Sequence, residues 1–152
     1  MKHLKVYEKY DPILLDEYSD KLFINIPSSV YFKSDIKFQI ILVDKVYKSK
    51  SYYISADNVI QFNEWQDGTE SFNFVTWDQD YNEDDFERIN FMTVEEFYHG
   101  YKSSFIRIIS EILDRLDNLN LSDQYTKKLN KIVDRLTIHE VEPIIQARKY
   151  NL

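Results

Sequence analysis

The sequence predicts an α+β fold: an antiparallel sheet of about five to seven strands in the N-terminal two-thirds, packed by a long helix over about 94–117 and by further helices over about 123–136 and 143–149. Three observations predict it. Apolar residues recur with a period of two up to Trp77 and with a period of 3.6 after Thr93. An Asp67-Gly68 pair separates two alternating runs. Thr93 and Glu96 form a capping box where the period changes.

The elements follow in order. Leu4 and Val6 suit a short strand, and Asp11-Pro12 suits a helix start, with Ile13, Leu14 and Leu15 burying one side as far as Ser19. Leu22, Ile24 and Ile26 alternate until Pro27 stops them, and Val30-Tyr31-Phe32 reads as another strand. Ile36 to Val43 is the clearest strand, and its fully apolar second half predicts a central position. Lys48-Ser49-Lys50 turns it into Tyr52-Tyr53-Ile54. Val59 to Trp65 and Glu70 to Trp77 flank the turn Gln66-Asp67-Gly68-Thr69, a strong hairpin signal because Asp and Gly both tolerate positive φ. Val94, Phe97, Tyr101, Phe105, Ile108, Ile109, Ile112, Leu113 and Leu116 then make one helical stripe. Glu111 and Arg115 stand in the favourable i,i+4 order on the other face. Tyr125, Leu129, Ile132, Val133 and Leu136 make the next stripe. Thr137 to Glu142 reads as extended, with a fresh helix at Pro143.

The 152 residues amount to a single domain, 1–152. Three prolines and two glycines leave no room for a joint, and there is no internal repeat. The absence of cysteine removes disulfide frameworks, thiolate zinc sites and cysteine nucleophiles, and fits a reducing cytoplasm. Ile40-Ile41-Leu42-Val43 is the longest aliphatic run, far short of the ~20 residues of a membrane span. A soluble cytoplasmic protein with no membrane contact is expected.

Charge is uneven. The net charge is −7. Residues 1–50 and 102–152 each hold nine Lys/Arg and seven Asp/Glu, whereas 51–101 holds twelve acids and the single base Arg88. Phosphate binding needs clustered Lys/Arg, so direct nucleic-acid binding is not expected, and a basic protein partner is.

Catalytic signatures are missing. There is no Gly-x-Ser-x-Gly elbow, and two isolated glycines, Gly68 and Gly100, cannot build a phosphate cradle. Glu96 and His99 have the i,i+3 spacing of carboxylate di-metal sites, but those sites need the pair twice. His139-Glu140 and His3 offer no better ligand set. Asp78, Asp80, Asn82 and Asp84 match positions 1, 3, 5 and 7 of a calcium loop. Glu83 then replaces the turn glycine and Ile89 the closing glutamate. The four are weak metal candidates at most, and a solvated acidic loop between strand and helix explains them as well. No cofactor is expected.

From Glu64 to Glu87 there are nine acids, no bases and six aromatics, including both tryptophans. Phe72 and Phe74 are expected in the core, with Trp65, Trp77 and Tyr81 at the surface. Either this is core plus a solvated face, or it is a binding surface, since hot spots favour Trp and Tyr and surrounding acids steer a basic partner. In size, charge and lack of catalytic apparatus the chain resembles the small acidic immunity proteins and antitoxins that bacteria pair with nucleases. That likeness implies an inhibitor of a basic toxin enzyme, and no enzyme activity. The expected partner-binding residues are Trp65, Asp67, Glu70, Trp77, Asp78, Asp80, Tyr81, Glu83, Asp84 and Asp85. The alternatives are a DNA mimic of anti-restriction or phage type, and a divalent-cation-dependent enzyme or regulator using Asp78 to Asp84.

Overall fold

A computed structural model of the chain describes residues 12–27, 36–118, 120–139 and 141–149. The fold is α+β, with an antiparallel sheet, six-stranded among the described residues, followed by helices. The expected strands at Leu4–Val6 and Val30–Phe32, and the Asp11 cap, lie outside the described residues. Contacts divide the chain into two compact units, Met1–Phe91 and Met92–Leu152.

The first unit holds β1 (Ile13–Leu14), β2 (Leu22–Asn25), β3 (Ile36–Leu42), β4 (Lys45–Lys48), β5 (Tyr52–Glu64) and β6 (Glu70–Tyr81), then the short helix α1 (Glu83–Glu87). The expected helix after Pro12 is not there. Ile13 and Leu14 pair with Lys48 and Tyr47 instead, and only Asp16–Tyr18 turns, as a 3-10 helix. So short a segment gains little from helix formation alone, and a neighbouring strand captures its backbone. Ile13 and Leu14 are consequently exposed rather than buried, at 62% and 43%.

β5 is the spine of the sheet. β6 runs along one edge of β5 from Tyr52 to Glu64. β4 and β3 therefore divide the other edge, β4 at Tyr52–Ser55 and β3 along Asn58–Asn63. β2 lies outside β3, so β3 is internal, as its apolar run predicts.

Residues paired across antiparallel strands share a face. On one face Phe23, Ile41, Val59 and Val75 form a row, and beyond it lie Val46, Ile54, Ala56 and Trp77. On the other face Ile24, Ile40, Ile60 and Phe74 align, with the ring series Phe38, Phe62 and Phe72 at centroid spacings of 4.1 and 4.3 Å. The register slips between Ala56 and Val59, so β5 carries a bulge there. The bulge lets Ile54, Ala56 and Val59 all reach the first face.

The second unit begins with α2 (Val94–Gly100) and α3 (Lys102–Leu116). The capping box is present: the Glu96 amide donates to Thr93 Oγ1 at 3.1 Å, and the Thr93 amide to Glu96 Oε1 at 3.2 Å. The single helix expected over 94–117 is interrupted at Tyr101, which has φ −137° and ψ 47°. Tyr101 still donates its amide to Phe97 and accepts from the Phe105 amide, so the stripe stays in phase across the break. α4 (Asp123–Leu136) is capped by Ser122, and α5 (Glu142–Lys149) starts one residue before Pro143. Glu111 and Arg115 pair at 3.5 Å, and Arg115 donates to the Tyr125 hydroxyl at 2.8 Å, tying α3 to α4.

Candidate functional site

The acid–aromatic segment is a long hairpin and a short helix. Trp65 donates its amide to the Thr69 carbonyl, and Gly68 closes the turn at φ +86°. β6 continues to Tyr81, past the expected end at Trp77, so Asp78 and Asp80 lie on a strand rather than in a loop. Aspartate disfavours strand interiors, but β6 has a partner on one edge only among the described residues, and charged edges are common. Asn82 then caps α1, accepting the Asp85 amide at 2.8 Å. Glu83, Asp84 and Asp85 fill the first turn, where carboxylates favour the helix start.

Alternation along β6 splits the expected binding residues between two faces. Trp77 and Tyr81 point to the first face and are half-buried against its core. Trp77 meets Phe23 at 5.9 Å and Tyr81 at 6.2 Å. Asp78 and Asp80 point to the opposite face, opposite Ser55 and Tyr53. Phe72 is buried, as expected, while Phe74, expected in the core, and Trp77 and Tyr81, expected at the surface, are all half-buried. Trp65 is 45% exposed and donates from Nε1 to Ser71 Oγ at 3.2 Å.

The segment also has two distant ends. Glu70 and Tyr81 lie roughly 37 Å apart along the strand. At the hairpin tip, Lys37 bridges Glu64 at 3.6 Å and Glu70 at 3.9 Å. Asp67 accepts the Thr69 hydroxyl at 2.6 Å and the Thr69 amide at 2.9 Å, and these bonds hold its carboxyl below the usual range. At the far end, Glu83, Asp84 and Asp85 are exposed, and Arg88 lies 3.9 Å from Asp85.

Phe86 fixes that far end. Its ring stacks on Tyr52 at 3.9 Å and 7°, and meets Tyr18 and Phe91 at 5.4 Å each. Phe86 is buried, while the acids before it face solvent. Sequence reading missed α1, although Asn82 before three consecutive acids is a helix-start signal.

Tyr53 was missed too. It is fully buried, and its hydroxyl donates to Asp78 Oδ2 at 3.0 Å. Burial first, then this bond and the nearby carboxylates Asp78 and Asp80, push its phenol up to about 12. Burial, with Asp85 adding to it, pushes Tyr81 to about 12 as well. Both phenols stay protonated at neutral pH, and Tyr53 donates from its hydroxyl to Asp78.

A row of amides crosses the first face nearer the tip. Asn25 donates to Gln39 and Gln39 to Gln61, each at 2.9 Å. Asn63 Oδ1 accepts from Gln61 at 3.5 Å and from Asn73 at 2.9 Å. Gln39 and Asn63 are buried, and the row satisfies them.

The four metal candidates are not brought together. Asp78 and Asp80 face away from the Trp77 side, Asn82 is engaged as a cap, and Asp84 lies on α1. Glu96 is engaged with its own N-cap, and His99 is exposed on α2. Among the described residues no group of three or more His, Asp or Glu side chains is arranged to hold a metal ion. Among them, too, no helix is long and apolar enough to cross a membrane.

No protein-family model matches the chain, and neither a curated protein nor a solved structure matches it.

Proposed function

We propose that the protein is a binding protein that neutralises a basic partner, as immunity proteins and antitoxins neutralise toxin enzymes such as nucleases. Its working surface is the α1 end of the hairpin, carried by Glu83, Asp84 and Asp85. One observation carries this reading. The tip acids are engaged by Lys37 and Thr69, whereas Glu83 and Asp84 stand exposed, beside Asp85 and its partner Arg88, on a helix that Phe86 clamps to the sheet. A groove that binds a polyanion must be basic, and a rigid acidic projection complements it. Neutralising a toxic enzyme protects the cell that makes both, so the reading includes a cytoplasmic location.

The test is capture of the partner from the native host, followed by calorimetry across a salt series. A basic partner bound one to one, more weakly as salt rises and more weakly still with Asp84→Lys/Asp85→Lys, supports the reading. Unchanged binding by that variant removes it. Competition with duplex DNA for several unrelated DNA-binding proteins would favour the mimic instead.

A further inference from the structure

The helical unit carries a second surface, which does not rest on the reading of the β6–α1 acids. Between the end of α3, one side of α4 from Thr126 onward and the start of α5 lies a groove of about 460 Å³. Each helix or its cap contributes aliphatic and acidic side chains to it, with neutral polar side chains between them. Leu116 and Asp117 come from the end of α3, Val133 and Asp134 from α4, and Ile145 and Glu142 from α5. Leu116 and Val133 are half-buried and Ile145 is buried, while the three carboxylates are exposed. The floor is therefore aliphatic, and the rim combines the three carboxylates with neutral polar side chains and no base.

Local composition does not explain this sign. Residues 92–152 hold nine Asp/Glu and nine Lys/Arg, yet among the described residues no Lys or Arg lines the groove. The volume lies within the range of about 300–1,000 Å³ typical of ligand sites. An apolar floor rewards an aliphatic side chain by excluding water, and a rim of three acids selects the charge beside it. We propose that this groove docks a peptide segment of a partner protein in which an aliphatic residue is flanked by lysine or arginine.

The test is an NMR titration of the full, ¹⁵N-labelled chain. The probe is a short blocked synthetic peptide of alternating leucine and lysine, and the control is its copy with glutamate in place of lysine. The lysine peptide is expected to shift the amides of Leu116, Asp117, Val133, Asp134 and Ile145 saturably, and the glutamate copy to leave them in place. Asp134→Asn with Glu142→Gln should weaken binding about tenfold, as the loss of two rim ion pairs implies. Asp84→Lys/Asp85→Lys should leave these shifts unchanged, which separates the groove from the β6–α1 surface. Shifts confined to β6 and α1, equal binding of the two peptides, or unaltered affinity in the double neutralisation would each overturn the proposal.

Discussion

The two ends of the β5–β6 hairpin have similar compositions and opposite electrostatic outcomes. At the tip, Glu64, Asp67 and Glu70 are answered by Lys37 and Thr69. At the far end, Glu83, Asp84 and Asp85 project from a helix with one arginine beside it. The ends are also held differently. Amides cross-link the strands on the first face nearer the tip, and stacked rings anchor the far end. An acid count along the sequence therefore says little about which acids a partner can meet.

Four perturbations probe this contrast, beginning with the largest. Phe86→Ala should cost about 3–5 kcal/mol in urea unfolding, because a buried ring is lost from a stacked cluster. It should also free the α1 amides to exchange. Trp65→Ala at the tip should cost far less. If the two cost the same, the far end is not clamped by its ring.

Asn63→Ala comes next. It removes the acceptor shared by Gln61 and Asn73, whose donors are half-buried and exposed, so the cost should be about 0.5–1.5 kcal/mol, that of an ordinary hydrogen bond. Denaturant midpoints measure it, and a change within error would mean that the amide row does not hold the tip half.

The tyrosines sharpen the far end. Tyr53 and Tyr81 should ionise near pH 12 in an ultraviolet titration, above the ordinary value of 10. A raised phenol favours the protonated folded state. Its contribution to stability is therefore complete below pH 10 and is lost as pH rises from there through about 12. Tyr53→Phe should remove part of that alkaline loss. Ionisation of both groups near pH 10 would contradict their burial and carboxylate contacts.

Lys37→Ala should have the smallest effect, below about 0.5 kcal/mol, since its two ion pairs are exposed. Its interest lies in charge rather than stability, because it removes the Lys37 ion pairs from Glu64 and Glu70.

Much of the fold was legible because local chemistry agreed with tertiary structure. Gly68 supplies the positive φ of the turn, and Thr93 with Glu96 completes a cap. α4 coincides with its predicted stripe. What was missed has physical causes. The bulge at Asp57-Asn58 breaks the period of two, so β5 reads as two runs. β4 holds only Val46 and Tyr47 between lysines, too short a run to alternate visibly. The break at Tyr101 preserves the helical phase, and so leaves the stripe intact. Of the candidate site, the acids and rings were legible as a composition. Their division between two faces and two ends was not, because it depends on where β6 stops and on Lys37, which comes from a distant part of the sequence.

The most direct measurement is the association rate of the captured partner with two double reversals at low salt. Asp84→Lys/Asp85→Lys should slow association about tenfold or more, since an exposed acidic surface acts mainly by steering. Glu64→Lys/Glu70→Lys at the tip should leave the rate within about twofold. Equal slowing by the two, or greater slowing by the tip reversal, would contradict the assignment of the working surface to the α1 end.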